Sequence, residues 1–127
     1  MADVRVEGFD HLVLDVADIE RSVAWYGGVL GLEILRYDEF KRGEVFFPSV
    51  RIDEGTIIDL LATAPTGTNV DHLCLVLADG SDLDGLVASG AFDVVEGPVP
   101  RWGARGDGTS VYVRDPDGNL VELRTYA

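Results

Sequence analysis

One short phrase occurs twice in this chain, and any fold of the sequence must accommodate both copies. Phe9-Asp10-His11-Leu12-Val13-Leu14-Asp15-Val16 and Val70-Asp71-His72-Leu73-Cys74-Leu75-Val76-Leu77 both read apolar, Asp, His, Leu, apolar, Leu. Both alternate with the period of two that marks a half-buried β-strand. They hold the only two histidines of the chain, 61 residues apart. A chain that places both histidines at the same point of an internal repeat is expected to use them together.

The flanking segments repeat as well. Gly31-Leu32-Glu33-Ile34-Leu35 overlays Ala91-Phe92-Asp93-Val94-Val95, and Ile57-Ile58-Asp59-Leu60-Leu61 overlays Leu120-Val121-Glu122-Leu123-Arg124. The offset drifts by only three residues across the unit, which argues for duplication. In the first copy the pattern predicts a strand over 8–16 and a helix over 19–30 capped by Asp18 and closed by Gly31. The Gly27-Gly28 pair weakens the last helical turn. Strands follow over 33–40, 44–51 and 56–63, separated by turns at Lys41-Arg42-Gly43 and Asp53-Glu54-Gly55. Residues 64–69 read as a linker.

In the second copy strands are expected over 70–78, 91–97, 109–114 and 119–126, with a helix over 82–89 capped by Ser81 and ended by Gly90. Pro98 to Gly108 reads as a loop rich in Gly and Pro, and Asp115-Pro116-Asp117-Gly118 as a turn. The expected architecture is therefore α+β: one domain over 1–127, built from two tandem βαβββ modules (about 5–63 and 70–127). Side by side they would form a curved eight-stranded mixed sheet with helices on its outer face.

Parity then singles out four residues. Phe9, His11 and Val13 share one strand face, and His72, Cys74 and Val76 share another, while the leucines between them face the helices. By the same rule Asp59 and Glu122 each sit within an apolar run on a closing strand, where an unpaired carboxylate is costly to bury. Two imidazoles and one or two carboxylates suit a divalent transition metal, and a metal would also compensate the buried acids. Against this stand plainer roles. Either histidine could be a core residue, Asp59 a solvent-facing edge charge, and Glu122 a partner of Arg114 or Arg124. Cys74 reads as a small core residue.

Composition narrows the function classes. Lys plus Arg total 10 against 23 Asp plus Glu, a net charge of −13. Such a balance disfavours a nucleic-acid partner, which needs clustered cations. It suits a cationic or metal-bearing ligand, or simply a well-solvated surface. No apolar run is long enough to span a bilayer, so no membrane partner is expected. Residues 1–8 lack the pattern of a secretory signal, and a lone cysteine excludes an internal disulfide framework. A cytoplasmic location is the expectation.

On these residues the chain resembles the vicinal oxygen chelate superfamily, which includes glyoxalase I, fosfomycin-resistance thiol transferases, extradiol dioxygenases, methylmalonyl-CoA epimerase and bleomycin-resistance proteins. The carriers are Phe9-Asp10-His11-Leu12, the helix end Trp25-Tyr26-Gly27-Gly28-Val29-Leu30-Gly31-Leu32, Val70-Asp71-His72-Leu73, and the closing run from Val111 to Leu123 through Arg114-Asp115-Pro116-Asp117-Gly118-Asn119. Gly27-Gly28 departs from the charged pair usual there. The resemblance implies paired βαβββ modules around a metal-holding cup, with ligands at His11, His72 and Glu122. Glyoxalase-like members add a carboxylate where this chain has Asp59, and a homodimer is common.

What the resemblance implies for function divides on Asp59. With Asp59 bound, one Ni, Co, Zn or Mn ion would hold a small-molecule substrate through two neighbouring oxygens in lyase or isomerase chemistry, Glu122 or Asp59 moving the proton. Without Asp59, the remaining three ligands form the facial triad of an Fe(II) dioxygenase, although no histidine is left for a ring-opening reaction. A fosfomycin-type thiol transferase would need cations from Arg114, Arg124 or the loop, since Lys41 is the only lysine. In a different class, a bleomycin-resistance relative would sequester a cationic drug in acidic grooves without catalysis. The 98–108 segment is read either as a lid, with Trp102 and Arg101 or Arg105 over the substrate, or as a long exposed hairpin connection; Tyr112, Arg114 and Arg124 complete the substrate candidates. Phe46, Phe47 and Trp25 are pocket-wall or core residues in this reading.

Overall fold

The computed structural model describes residues 4–114 and 118–127. The elements in chain order are β1 (Val6–Val16), α1 (Ile19–Val23), a π-helical segment (Ala24–Val29), β2 (Glu33–Leu35), α2 (Tyr37–Lys41), β3 (Ser49–Asp53), β4 (Thr56–Ala62), β5 (Val70–Leu77), α3 (Leu83–Ala88), β6 (Asp93–Gly103), β7 (Gly106–Arg114) and β8 (Leu120–Thr125). These form two compact units, residues 11–71 and residues 1–10 with 72–127. Each unit carries four strands of mixed direction, the βαβββ plan expected from the repeat. No helix among the described residues is long and apolar enough to cross a membrane.

In the unit of residues 11–71 the strand order is β2-β3-β4-β1. β1 runs parallel to β4 with Val13 opposite Asp59, and β3 runs antiparallel to β4 with Ser49 opposite Asp59. Asp18 caps α1, its carboxylate accepting from the Arg21 amide at 3.1 Å. Beyond Val23 the helix widens into the π segment, closed by the Leu30 amide donating to the Trp25 carbonyl at 3.1 Å. A Cβ at Gly27 would lie 2.9 Å from Ile34 Cγ1, so any larger residue there would displace the Ile34 side chain. Ile19, Val50 and Leu60 are buried at the centre of this unit's core, with Val23, Tyr26 and Ile34 packed around them.

Two expectations for this unit are corrected. The strand predicted over 33–40 ends at Leu35, where Arg36 takes φ 64° and the chain turns into α2. Tyr37-Asp38-Glu39-Phe40-Lys41 satisfies helix rules instead, with acids in the first turn, a lysine in the last, and Tyr37 and Phe40 set against the core. The strand predicted over 44–51 accordingly begins only at Ser49. Phe46 and Trp25 are not core residues: Phe46 is 91% exposed and Trp25 47%.

In the other unit the order is β5-β8-β7-β6, with β5 parallel to β8 and the remaining pairs antiparallel. Leu77, Leu83, Leu86, Val111, Val113 and Leu123 form its core. The cap of α3 is Asp82 rather than Ser81. Asp82 accepts from the Gly85 amide at 2.9 Å, while the Ser81 hydroxyl donates back to the Ala78 carbonyl. The larger correction concerns residues 98–108. They are not an irregular loop but the two arms of a long hairpin, β6 and β7, closed by the Gly103–Gly106 pair, the second of the two readings of this segment. Prolines are tolerated in β6 because it is the last strand in the order and its pairing is interrupted by register shifts at Glu96. Of the turn predicted at 115–118, Asp115, Pro116 and Asp117 lie outside the described residues; Gly118 has φ 86°.

Candidate functional site

Each unit brings one histidine to one carboxylate. In residues 11–71, His11 and Asp59 come from the parallel strands β1 and β4, and both are buried. His11 Nε2 lies 3.7 Å from Asp59 Oδ2, and the other oxygen, Oδ1, accepts a hydrogen bond from Ser49 Oγ at 2.6 Å. In the other unit, His72 and Glu122 come from the parallel strands β5 and β8. His72 Nε2 lies 3.0 Å from Glu122 Oε1, and Oε2 accepts from Ser110 Oγ at 2.6 Å. The same constellation is therefore built twice: a serine hydroxyl on one carboxylate oxygen and an imidazole nitrogen beside the other.

Burial makes this arrangement chemically specific. Asp59 and Glu122 are each 1% exposed, and a carboxylate so placed must be compensated by donors or positive charge. The fit to a metal can be tested on the donor atoms themselves. Two ligands about 2.1 Å from one ion lie roughly 3.0–3.4 Å apart in octahedral or tetrahedral geometry. The imidazole–carboxylate separations of 3.0 and 3.7 Å are close to that range, and neutral imidazole with carboxylate is a suitable donor set. Within each unit the residues present fit adjacent ligation of a divalent ion.

Around His72 and Glu122 the second unit adds three further groups. Tyr112 lies directly opposite Glu122 in the β7–β8 ladder and sets its ring edge-on to His72, centroids 5.6 Å apart. This fixes a register the sequence leaves open. Arg101 Nε donates to the Tyr112 hydroxyl at 3.2 Å, and its Nη2 donates to Glu96 at 2.6 Å. Partial burial works against the Arg101 charge, yet the Tyr112 hydrogen bond and the nearby Glu96 hold its pKa above the ordinary arginine value.

Arg124, 0% exposed, is positioned as a clamp within the hairpin. Its Nη2 donates to the Arg101 carbonyl at 2.6 Å, and its Nη1 donates to the Trp102 carbonyl and to Glu122 Oε2, both at 3.4 Å. Trp102 thus contributes its backbone to that clamp. Arg114 lies on the surface and donates to the Gly118 carbonyl at 3.0 Å. Arg105 stacks over the Tyr126 ring at 5.3 Å.

Sequence reasoning missed Ser49, Ser110 and the pair Asp10–Tyr126. The serines carried a readable signal, since they are separated by 61 residues, the offset of the histidines. Asp10 is fully buried; one oxygen accepts from the Tyr126 hydroxyl and the other from the Ala104 amide at 3.0 Å. Burial, with the hydrogen bond to Asp10, pushes Tyr126 up to about 12. No repeat signalled this pair, because the second-copy counterpart of Asp10, Asp71, is exposed.

Residues 8–123 match the model of the Glyoxalase/Bleomycin resistance protein/Dioxygenase superfamily. The chain belongs to this family. It is 32% identical over 123 residues to the virulence protein STM3117 of Salmonella typhimurium, covering 95% of this chain and 85% of that protein. It is 30% identical over 124 residues to a probable lactoylglutathione lyase of Vibrio parahaemolyticus, covering 89% of this chain and 86% of the lyase. Among solved structures, the Mn(II)-bound glyoxalase from Novosphingobium aromaticivorans shares the fold with a TM-score of 0.71 at 23% identity. That match covers 96% of this chain but only 40% of the larger protein.

Proposed function

We propose that this chain is a divalent-metal-dependent enzyme acting on a small molecule, with lyase or isomerase chemistry on a substrate held through two neighbouring oxygens. His11, Asp59, His72 and Glu122 are the proposed protein ligands of one ion, drawn from Ni, Co, Zn, Mn and Fe(II). The observation that carries the reading is the duplicated serine–carboxylate–imidazole constellation at buried positions. A core-filling role gives no reason to build so costly a group twice. Membership of the family and the likeness to a probable lactoylglutathione lyase support the same chemistry.

A bound divalent ion would supply Lewis acidity, stabilising negative charge that develops on substrate oxygen. The chain's own residues do the rest. Asp59 and Glu122 each present one oxygen beside an imidazole, the place from which a carboxylate can accept a proton and return it. Tyr112 and Arg101 stand next to His72 and are the best-placed groups to orient a substrate. Trp102 and Arg114 remain proposed substrate contacts at the hairpin, and Arg124 acts through Glu122, to which it donates.

The test is metal content of protein purified without chelator or affinity tag, compared with His11→Ala and His72→Ala. Near-stoichiometric metal that is lost in both variants is the expected result. No binding after reconstitution with Ni, Co, Zn, Mn and Fe(II) would refute the reading. The net charge of −13 favours one second reading, capture of a cationic small molecule without turnover, and that outcome would bring it forward.

A further inference from the structure

We propose that Ser49 and Ser110 are positioning residues that restrict each buried carboxylate to ligation through the single oxygen beside its histidine. The proposal rests on the metalloenzyme reading above. Both serines are 0% exposed, and each donates to its acid at 2.6 Å. In each case the oxygen that receives the hydroxyl is the one turned from the imidazole, Oδ1 of Asp59 and Oε2 of Glu122.

The two contacts are built from different registers. Ser49 stands directly opposite Asp59 in the β3–β4 ladder. Ser110 stands opposite Arg124, while Glu122 is paired with Tyr112, so Ser110 reaches its acid on the diagonal. Diagonal neighbours on adjacent strands lie farther apart than direct ones. The residue at the longer reach is the glutamate, one methylene longer than aspartate. Acid length and strand register thus differ together, and the hydroxyl-to-carboxylate distance stays the same. A serine that only filled space would not show this compensation.

The chemical consequence follows from lone pairs. A carboxylate can hold a cation through one oxygen or through both. An oxygen already accepting from a fixed hydroxyl is anchored by that bond and strains it in swinging toward the cation. The serines therefore favour ligation through one oxygen, which leaves more of the coordination shell to a substrate that binds through two oxygens of its own. Donors of this kind outside the ligand set are the usual means by which a protein tunes metal affinity.

The experiment uses full-length protein stripped of metal and titrated with Co(II), reading affinity by competition and coordination by the visible spectrum. Parent, S49A, S110A, S49T and S110T are compared, with circular dichroism to confirm that each is folded. The expected result is a rise of about 10- to 100-fold in the Co(II) Kd of each alanine variant, with shifted absorption bands. The threonine variants, which keep the hydroxyl, should retain an affinity and spectrum close to those of the parent. Alanine variants with parental affinity and spectrum would overturn the proposal, as would equal losses in the alanine and threonine variants. A parent that binds no Co(II) would instead overturn the metalloenzyme reading, so the two failures are distinguishable.

Discussion

Replacing Arg124 tests whether it is a clamp of the hairpin or a group that serves substrate. Its guanidinium is fully buried, donates to the carbonyls of Arg101 and Trp102, and stands 3.4 Å from Glu122 Oε2. Arg124→Ala would leave the Glu122 carboxylate without this cation at a fully buried position. Removing one partner of a buried pair costs about 3–5 kcal/mol; Glu122 keeps the Ser110 hydroxyl, but the Arg101 and Trp102 carbonyls lose their donor as well. An unfolding entropy of about 2.1 cal/mol/K per residue gives roughly 0.27 kcal/mol/K for a chain of this length. The expected fall in Tm is therefore about 11–19 °C, read by circular dichroism, with a matching shift in the urea midpoint. Arg124→Lys keeps the charge but loses the planar fork, and should fall between parent and alanine. A Tm for Arg124→Ala within about 4 °C of the parent, equivalent to roughly 1 kcal/mol, would refute the clamp and return Arg124 to the substrate candidates.

Four further outcomes are expected. Tyr126 binds its proton more tightly folded than unfolded, its pKa being pushed up to about 12 from 10.0, so its contribution to stability is full below about pH 10 and lost as pH rises toward 12. Urea midpoints across that window should fall less steeply in Tyr126→Phe than in the parent. Gly97→Ala would place a Cβ 2.5 Å from the Ser110 carbonyl oxygen and 2.9 Å from Val111 Cα at φ +112°, and should cost roughly 2 kcal/mol or more in urea unfolding. Asp18→Ala removes the α1 cap and should cost about 1 kcal/mol by the same assay. A divalent ion that binds as proposed, at 100 times its Kd, should stabilise the parent by about 2.7 kcal/mol, and neither His11→Ala nor His72→Ala should show that gain in thermal melts.

The sequence was most informative where its periodicity and its repeat agreed. β1, β4, β5 and β8 stand within two residues of the spans read from alternation, and His11, Asp59, His72 and Glu122 occupy the faces that parity assigned. The readings that failed share a physical cause. Residues 37–41 are too few for a helical period to show against neighbouring strands, and the first-turn acids and last-turn lysine were the local signs of a helix. Residues 98–108 carry two prolines and three glycines, a loop by composition, yet a strand at the end of the order tolerates missing donors and register shifts. The burial of Arg124 is a separate matter, illegible in the sequence because a charged residue is seldom fully buried. Only tertiary pairing with Glu122 and the hairpin carbonyls reveals why it is. Ser49 and Ser110 were passed over because a serine in a strand carries no distinctive chemistry until its carboxylate neighbour is known.

The two copies also differ in an orderly way. The serine, the acid and the histidine are present in both, each at a buried or half-buried position where polar groups are costly. Their immediate neighbours have diverged. Arg51 occupies the position, relative to Ser49, that Tyr112 occupies relative to Ser110, and Leu61 stands two residues beyond Asp59 where Arg124 stands two beyond Glu122. Arg51 donates to the carbonyls of Asp53 and Glu54 in its own turn, whereas Tyr112 engages His72 and Arg101. Backbone duplication alone would allow all these positions to drift equally. Retention of the costly donors beside divergence of the cheaper flanks is the pattern expected when the donors carry the chemistry and the flanks do not.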